Sequence, residues 1–148
     1  TPEVAYMQSL GMETLQVRYE RHAGSCMELA KRLQSLPGVQ SVNYSGLTDN
    51  RFYAVSQRQF GDSPGAMLTF DLESKERCYS FLNRLMLIRR ATNLFDNRSL
   101  IIHPASTIYG TFMPEQRSAM GIKETTLRLS VGLESVDALL EYITQAFS

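Results

Sequence analysis

One arginine interrupts the run "ETTLRLSVGLES", Glu124 to Ser135. Read with a period of two, Leu127, Leu129 and Val131 point one way, and Thr126, Arg128 and Ser130 the other. The pattern predicts a strand with one face on a core and Arg128 on a polar face. An arginine so placed either faces water or forms the planar fork that holds a carboxylate or phosphate. Other candidates for chemistry are few. His103, before Pro104, can be weighed as a base, but no cysteine or acid stands at a fixed spacing from it, which favours a structural loop histidine. His22 falls inside a helical apolar stripe and reads as an interior or interface residue. Lys31, Lys75 and Lys123 sit in polar surroundings, and none is desolvated enough to form a reactive amine. Glycine-rich dinucleotide, Walker and zinc-protease patterns are absent. These residues offer a carboxylate binder and no catalytic machinery.

Composition narrows the function classes. With 148 residues the chain suits one domain with a real core. Lys+Arg and Asp+Glu are 15 each, so the net charge is zero and the electrostatic footprint of a nucleic-acid binder is missing. No apolar run approaches membrane-spanning length, and residues 1–20 lack the basic-then-apolar order of a signal peptide. The two cysteines, Cys26 and Cys78, both fall in helical apolar stripes and read as buried free thiols of a reducing cytoplasm. The chain begins Thr1-Pro2-Glu3, without an initiator methionine. The expectation is a processed chain or a piece of something longer.

The elements that must position Arg128 follow from periodicity. Met12, Leu15, Tyr19, His22, Cys26, Leu29 and Leu33 recur at steps of three and four, a helical stripe. Gly11 is expected to separate this helix from a short preceding one carrying Val4, Met7 and Leu10, and Pro37-Gly38 to end it. Strands are expected at Val39 to Tyr44, at Ala66 to Leu72, at "SLII" and at the arginine segment. Between them lie "RFYAVSQRQF", a short helix stopped at Gly61, and a helix capped by Ser74 with Cys78, Phe81, Leu82 and Leu85 inward. "MPEQRSAMG" reads as a brief helix, and Ser135 is expected to cap a last helix burying Val136, Leu139, Leu140, Ile143 and Phe147. Such alternation predicts an α+β domain, with a four-stranded, largely antiparallel sheet and helices packed on one face. A ferredoxin-like arrangement fits these elements, and strand order is left open.

Several blocks, in order, resemble one family: "GMETLQVRYERHAGSCMELAKRL", "VQSVNYSGL", "PGAMLTFDL", "ATNLFDNRSLIIHPAST", "PEQRSAMGI" and "LRLSVGLESVDALLEYITQAF". The chain is similar, over nearly its whole length, to the C-terminal domain of the Cys/Met-metabolism enzymes that use pyridoxal phosphate (PLP). These include cystathionine γ-synthase, cystathionine lyases, methionine γ-lyase and O-acetylhomoserine sulfhydrylase. "SLIIHPAST" and "LRLSVGLE" are the specific blocks. The resemblance implies that Arg128 binds the α-carboxylate of an amino-acid substrate. It also implies that the PLP-bearing lysine, the phosphate loop and the partner of the pyridine nitrogen lie in a preceding N-terminal domain. Residues 1–148 would then be one substrate-binding domain, with 1–10 a linker helix from the PLP domain, and inactive alone. The whole enzyme would eliminate or replace a γ-substituent of a homoserine derivative, cystathionine or methionine, as a cytoplasmic homotetramer.

Two departures from the family pattern matter. Relatives often carry "SLGG" where this chain has Asn93-Leu94-Phe95-Asp96. Asn93 thus replaces a serine that helps orient substrate, and it can still donate and accept hydrogen bonds. Phe95 in place of a glycine is expected to narrow or reshape the loop. After "HPAS", many relatives continue "MTH", whereas here Thr107-Ile108-Tyr109 follows, a form closer to the sulfhydrylase branch. The rival reading is a free-standing, non-enzymatic amino-acid-binding or oligomerisation module.

Overall fold

Leu68 and Phe70 alternate with Met67, Thr69 and Asp71, and this pleat sets the first long strand of the sheet. The computed structural model describes residues 1–148 throughout. In chain order its elements are α1 (Pro2–Glu13), α2 (Leu15–Gln34), β1 (Ser41–Asn43), α3 (Tyr53–Phe60), β2 (Met67–Asp71), α4 (Lys75–Arg84), β3 (Arg89–Arg90), β4 (Leu100–Ile102), a 3-10 turn (Pro104–Ser106), α5 (Pro114–Ala119), β5 (Thr126–Ser130) and α6 (Val136–Phe147). The sheet order is β1-β2-β5-β4-β3. The β1–β2, β2–β5 and β4–β5 pairs are antiparallel, and β3–β4 is parallel.

The sheet therefore has five strands where four were expected. The extra one, β3, is two exposed arginines, and a pair of charges carries no alternation to detect. It exists because its backbone completes an edge, with the Arg89 amide donating to Ser99 O at 3.0 Å.

One face of the sheet is dry. Leu68, Phe70, Ile101, Leu127 and Leu129 meet Cys26, Leu29 and Leu33 of α2, Phe81 of α4, and Leu139 and Ile143 of α6 in one cluster. Burying each large apolar side chain stabilises by roughly 1.5–3 kcal/mol. Both cysteines lie inside, where burial pushes the Cys26 thiol up to about 12 and the Cys78 thiol up to about 11. The opposite face, with Thr69, Asp71, Thr126 and Arg128, is left open by these helices.

Three local expectations are corrected. The α1–α2 break falls at Thr14 (φ −102°, ψ 5°), and Gly11 lies inside α1. An interior helical glycine costs only about 1 kcal/mol against alanine. The break is instead held by Arg18, which donates to Gly11 O at 2.6 Å and to Thr14 Oγ1 at 3.3 Å. Met12 and Leu15 consequently leave the stripe and are exposed, so the buried part of α2 begins at His22. Ser135 occupies the first position before α6 but its hydroxyl caps nothing, whereas Ser74 does accept from the Arg77 amide at 3.1 Å. Along α1 no residue is buried, and Val4, Met7 and Leu10 face outward.

Candidate functional site

Register places Arg128. On the central strand β5 it lies opposite Thr69 of β2 and Ile102 of β4. Its side chain reaches the open face, into a cleft of about 830 Å³ that Asn43, Met67, Thr69, Tyr109 and Lys123 also line. The guanidinium is half-buried, and one nitrogen, Nη2, donates to Thr92 O at 3.0 Å. The ion pairs of the chain engage Arg32, Lys75, Arg117 and Lys123, and none includes Arg128. Burial pushes Arg128 below its ordinary value, opposed by the nearby Tyr109 phenol, yet a guanidinium stays charged.

Asp71 is the acid on this face that would be expected to neutralise Arg128, and it is already taken. It accepts from Lys123 Nζ at 2.6 Å, from Ser41 Oγ at 2.9 Å and from the Thr126 hydroxyl. Burial alone would raise this carboxyl, but those three donors together hold it below the usual range. Arg128 is thus a partly desolvated cation with most of its five donors unspent, the arrangement that favours an incoming carboxylate.

The loop between β3 and β4 closes one side of the cleft. Thr92 supplies the carbonyl for Arg128, and its neighbour Asn93 is exposed, with Nδ2 donating to Asp96 Oδ2 at 3.3 Å. The structure therefore brings the Asn93 loop to Arg128 while the Asn93 amide itself holds Asp96. Phe95 is the one non-glycine residue with positive φ, 54°. For an L-residue that conformation costs roughly 1–2 kcal/mol, and glycine adopts it freely. Its amide donates to Ser130 Oγ at 3.1 Å, and its ring sits 5.6 Å from Tyr19 and 4.5 Å from His22 on α2. The Phe95 ring is keyed to a helix.

Both histidines are buried and neither lines the Arg128 cleft, and His22 Nε2 has no hydrogen-bond partner. His103 is buried, with Nε2 2.8 Å from Glu124 O and Nδ1 2.8 Å from Ser106 Oγ. A carbonyl only accepts, so Nε2 carries the proton and Nδ1 takes the Ser106 hydroxyl. His22 is fully buried, and its Nδ1 lies 2.7 Å from Val131 O. Both serve the interior.

A cluster that sequence reasoning missed fixes the far end of β5. Ser99, fully buried, donates to Glu134 through its amide and its hydroxyl, each at 2.8 Å. Its Oγ accepts from the Gly132 amide at 2.8 Å. At Gly132 an added Cβ would stand 2.5 Å from Ser99 N and Arg98 C, so only glycine fits there. The signal was present in "VGLE", but its partner lies 35 residues upstream.

The three lysines do not fit a covalent seat for PLP. Lys75 Nζ is 2.7 Å from Glu124 and Lys123 Nζ 2.6 Å from Asp71, each in an ion pair, and Lys31 is exposed. Ion pairing keeps an amine protonated, the reverse of what a nucleophile needs. No group of His, Cys, Asp and Glu is placed to hold a metal, and no helix is long and apolar enough to cross a membrane. What this chain can do chemically is seat an anion on Arg128.

Known proteins resemble this chain along its whole length. The family model for Cys/Met metabolism PLP-dependent enzymes matches residues 1–148. O-acetyl-L-homoserine sulfhydrylase 1 of Thermus thermophilus is 40% identical over 148 residues, 99% of this chain and 35% of that protein. L-methionine gamma-lyase of Pseudomonas putida is 37% identical over 99% of this chain and 37% of its own length. Among solved structures, a putative O-acetylhomoserine (thiol)-lyase of Campylobacter jejuni superposes with a TM-score of 0.93 at 35% identity, covering 99% of this chain and 35% of that one. That structure carries a pyridoxyl-lysine phosphate. The chain spans about a third of the length of the relatives it matches. On the strength of a match along its whole length, this chain belongs to the Cys/Met metabolism PLP-dependent enzyme family.

Proposed function

We propose that residues 1–148 form the substrate-binding domain of a PLP-dependent enzyme of sulfur amino-acid metabolism, in which Arg128 seats the substrate α-carboxylate. The observation that carries this reading is a half-buried guanidinium without a carboxylate partner, in a cleft whose two acids are engaged elsewhere, Asp71 with Lys123 and Asp49 with Gln34. Asn93, one residue from the carbonyl that steadies Arg128, is the second candidate for substrate contact. PLP and its lysine belong to the part of the enzyme outside these residues, and α1 links the two as a helix. The whole protein, on this reading, is a cytoplasmic homotetramer performing γ-elimination or γ-replacement on homoserine derivatives, cystathionine or methionine. Residues 1–148 alone are inactive.

The test is the pair Arg128→Lys and Arg128→Ala in the full-length enzyme, with steady-state kinetics and thermal melts. Lysine keeps the charge but loses the planar fork. A hydrogen bond to a charged group is worth roughly 1.5–3 kcal/mol, so kcat/KM should fall by about tenfold to a hundredfold or more in both variants. Melting should change little, because Arg128 sits on the face opposite the core. Kinetics unchanged in both variants would reduce Arg128 to a solvated strand residue.

A further inference from the structure

The loop after β4 brings a second polar group into the Arg128 cleft. Pro104, Ile108 and Tyr109 line the same cavity as Arg128. The half-buried Tyr109 lies near enough to the guanidinium to influence it electrostatically. Its hydroxyl has no partner within the chain. Two other tyrosine hydroxyls with access to the interior are engaged, Tyr19 with Ser63 O and Tyr44 with Gly65 O at 2.7 Å, whereas Tyr109 is free and lines the cleft that holds Arg128.

The loop that carries Tyr109 is held from several sides. Its amide donates to Pro104 O at 3.0 Å, the Thr107 hydroxyl to His103 O at 2.8 Å, and the Gly110 amide to Thr107 O at 3.1 Å. A Cβ on Gly110 would come within 3.1 Å of Ser106 O, so the turn is tight. His103 anchors the start of the loop through Ser106 and Glu124. The ring itself leans on Phe112, centroids 5.7 Å apart. A phenol fixed this way and left without an acceptor is pre-organised for one brought by a ligand.

We propose that Tyr109 is a second binding residue of this site, its hydroxyl donating to the carboxylate that Arg128 holds. The inference rests on the Arg128 reading. The fork supplies charge and two parallel donors, and the phenol a neutral donor from the neighbouring loop. Together they fix the carboxylate's orientation as well as its place.

The experiment uses the full-length protein and L-norleucine, an amino acid with no γ-leaving group, followed by titration calorimetry. Tyr109→Phe removes one oxygen and leaves the ring, so folding is spared. A neutral hydrogen bond predicts a rise in Kd for L-norleucine of about three- to tenfold. n-Pentylamine, which lacks the carboxyl group altogether, should bind the variant and the parent equally. In an Arg128→Ala background, where the carboxylate is no longer held, Tyr109→Phe should have no further effect. An unchanged Kd in Tyr109→Phe, with Kd raised in Arg128→Lys, overturns the Tyr109 assignment and leaves the Arg128 reading standing. An unchanged Kd in both variants overturns both. Equal weakening of L-norleucine and n-pentylamine also overturns the proposal, because it places Tyr109 against some other part of the ligand.

Discussion

Replacing Glu134 by alanine tests whether the "VGLE" segment is a clamp. Its carboxylate accepts twice from Ser99, at 2.8 Å each, and Ser99 is fully buried, so water cannot take over the bonds. Hydrogen bonds to a charged acceptor are worth roughly 1.5–3 kcal/mol each, and two bonds shared by one residue pair do not add fully. The expected loss is about 2–4 kcal/mol, a fall in Tm of about 5–15 °C for a chain of this size. Glu134→Gln should lose roughly half as much. Its one carbonyl oxygen still accepts from the Ser99 amide, but its NH₂ faces an Oγ that already accepts from Gly132. Gly132→Ala approaches the same point from the backbone and should cost at least about 2 kcal/mol, since no flexible atom can yield. Urea unfolding with a common slope measures all three, with the exposed Glu141→Ala as control. The Leu133 amide, donating to Asn97 O at 2.9 Å, continues the clamp toward the loop that bears Thr92. Norleucine binding should therefore weaken with stability. A Glu134→Ala protein within about 0.5 kcal/mol of the parent, the range of an ordinary surface change, would refute the clamp.

At Phe95 the ring stabilises and the backbone strains, so Phe95→Ala should destabilise more than Phe95→Gly, by about 1 kcal/mol, in paired melts. The reverse order would mean the left-handed backbone carries no strain. Asp71 has a depressed carboxyl, so its contribution is complete above the ordinary carboxylate range and is lost as pH falls through the folded value. Asp71→Asn should flatten the acid limb of a stability–pH curve, and an identical limb in the variant would refute that linkage. Residues 1–148 alone, mixed with PLP and reduced with borohydride, should give no stoichiometric lysine adduct and no turnover of O-acetylhomoserine or cystathionine. Mass spectrometry and a turnover assay decide it.

What the sequence revealed was whatever one residue's neighbours encode. β2 and β5 alternate strictly, so their inward faces were readable, and so was the face that Arg128 takes. β3 was not readable, because two arginines pair through backbone alone, and neither was the Thr14 break, which depends on Arg18 reaching back seven residues. The site's supports were hidden for the same reason. A carbonyl at Thr92 has no side-chain signature, Phe95 reports its purpose only through rings on α2, and Ser99 meets Glu134 across 35 residues.

The "LRLSVGLE" block combines two jobs at adjacent positions. Arg128 is the cation left without a local partner, while Gly132 and Glu134 hold Ser99 so that β5 and the loop beside it stay in register. That division requires Asp71 to be kept away from Arg128, although both lie on the open face. Lys123 and Ser41 donate to one of its oxygens and Thr126 to the other. The ion pair at Asp71 is exposed on its lysine side, and with the Ser41 and Thr126 bonds it keeps that carboxylate engaged along the sheet edge rather than on Arg128.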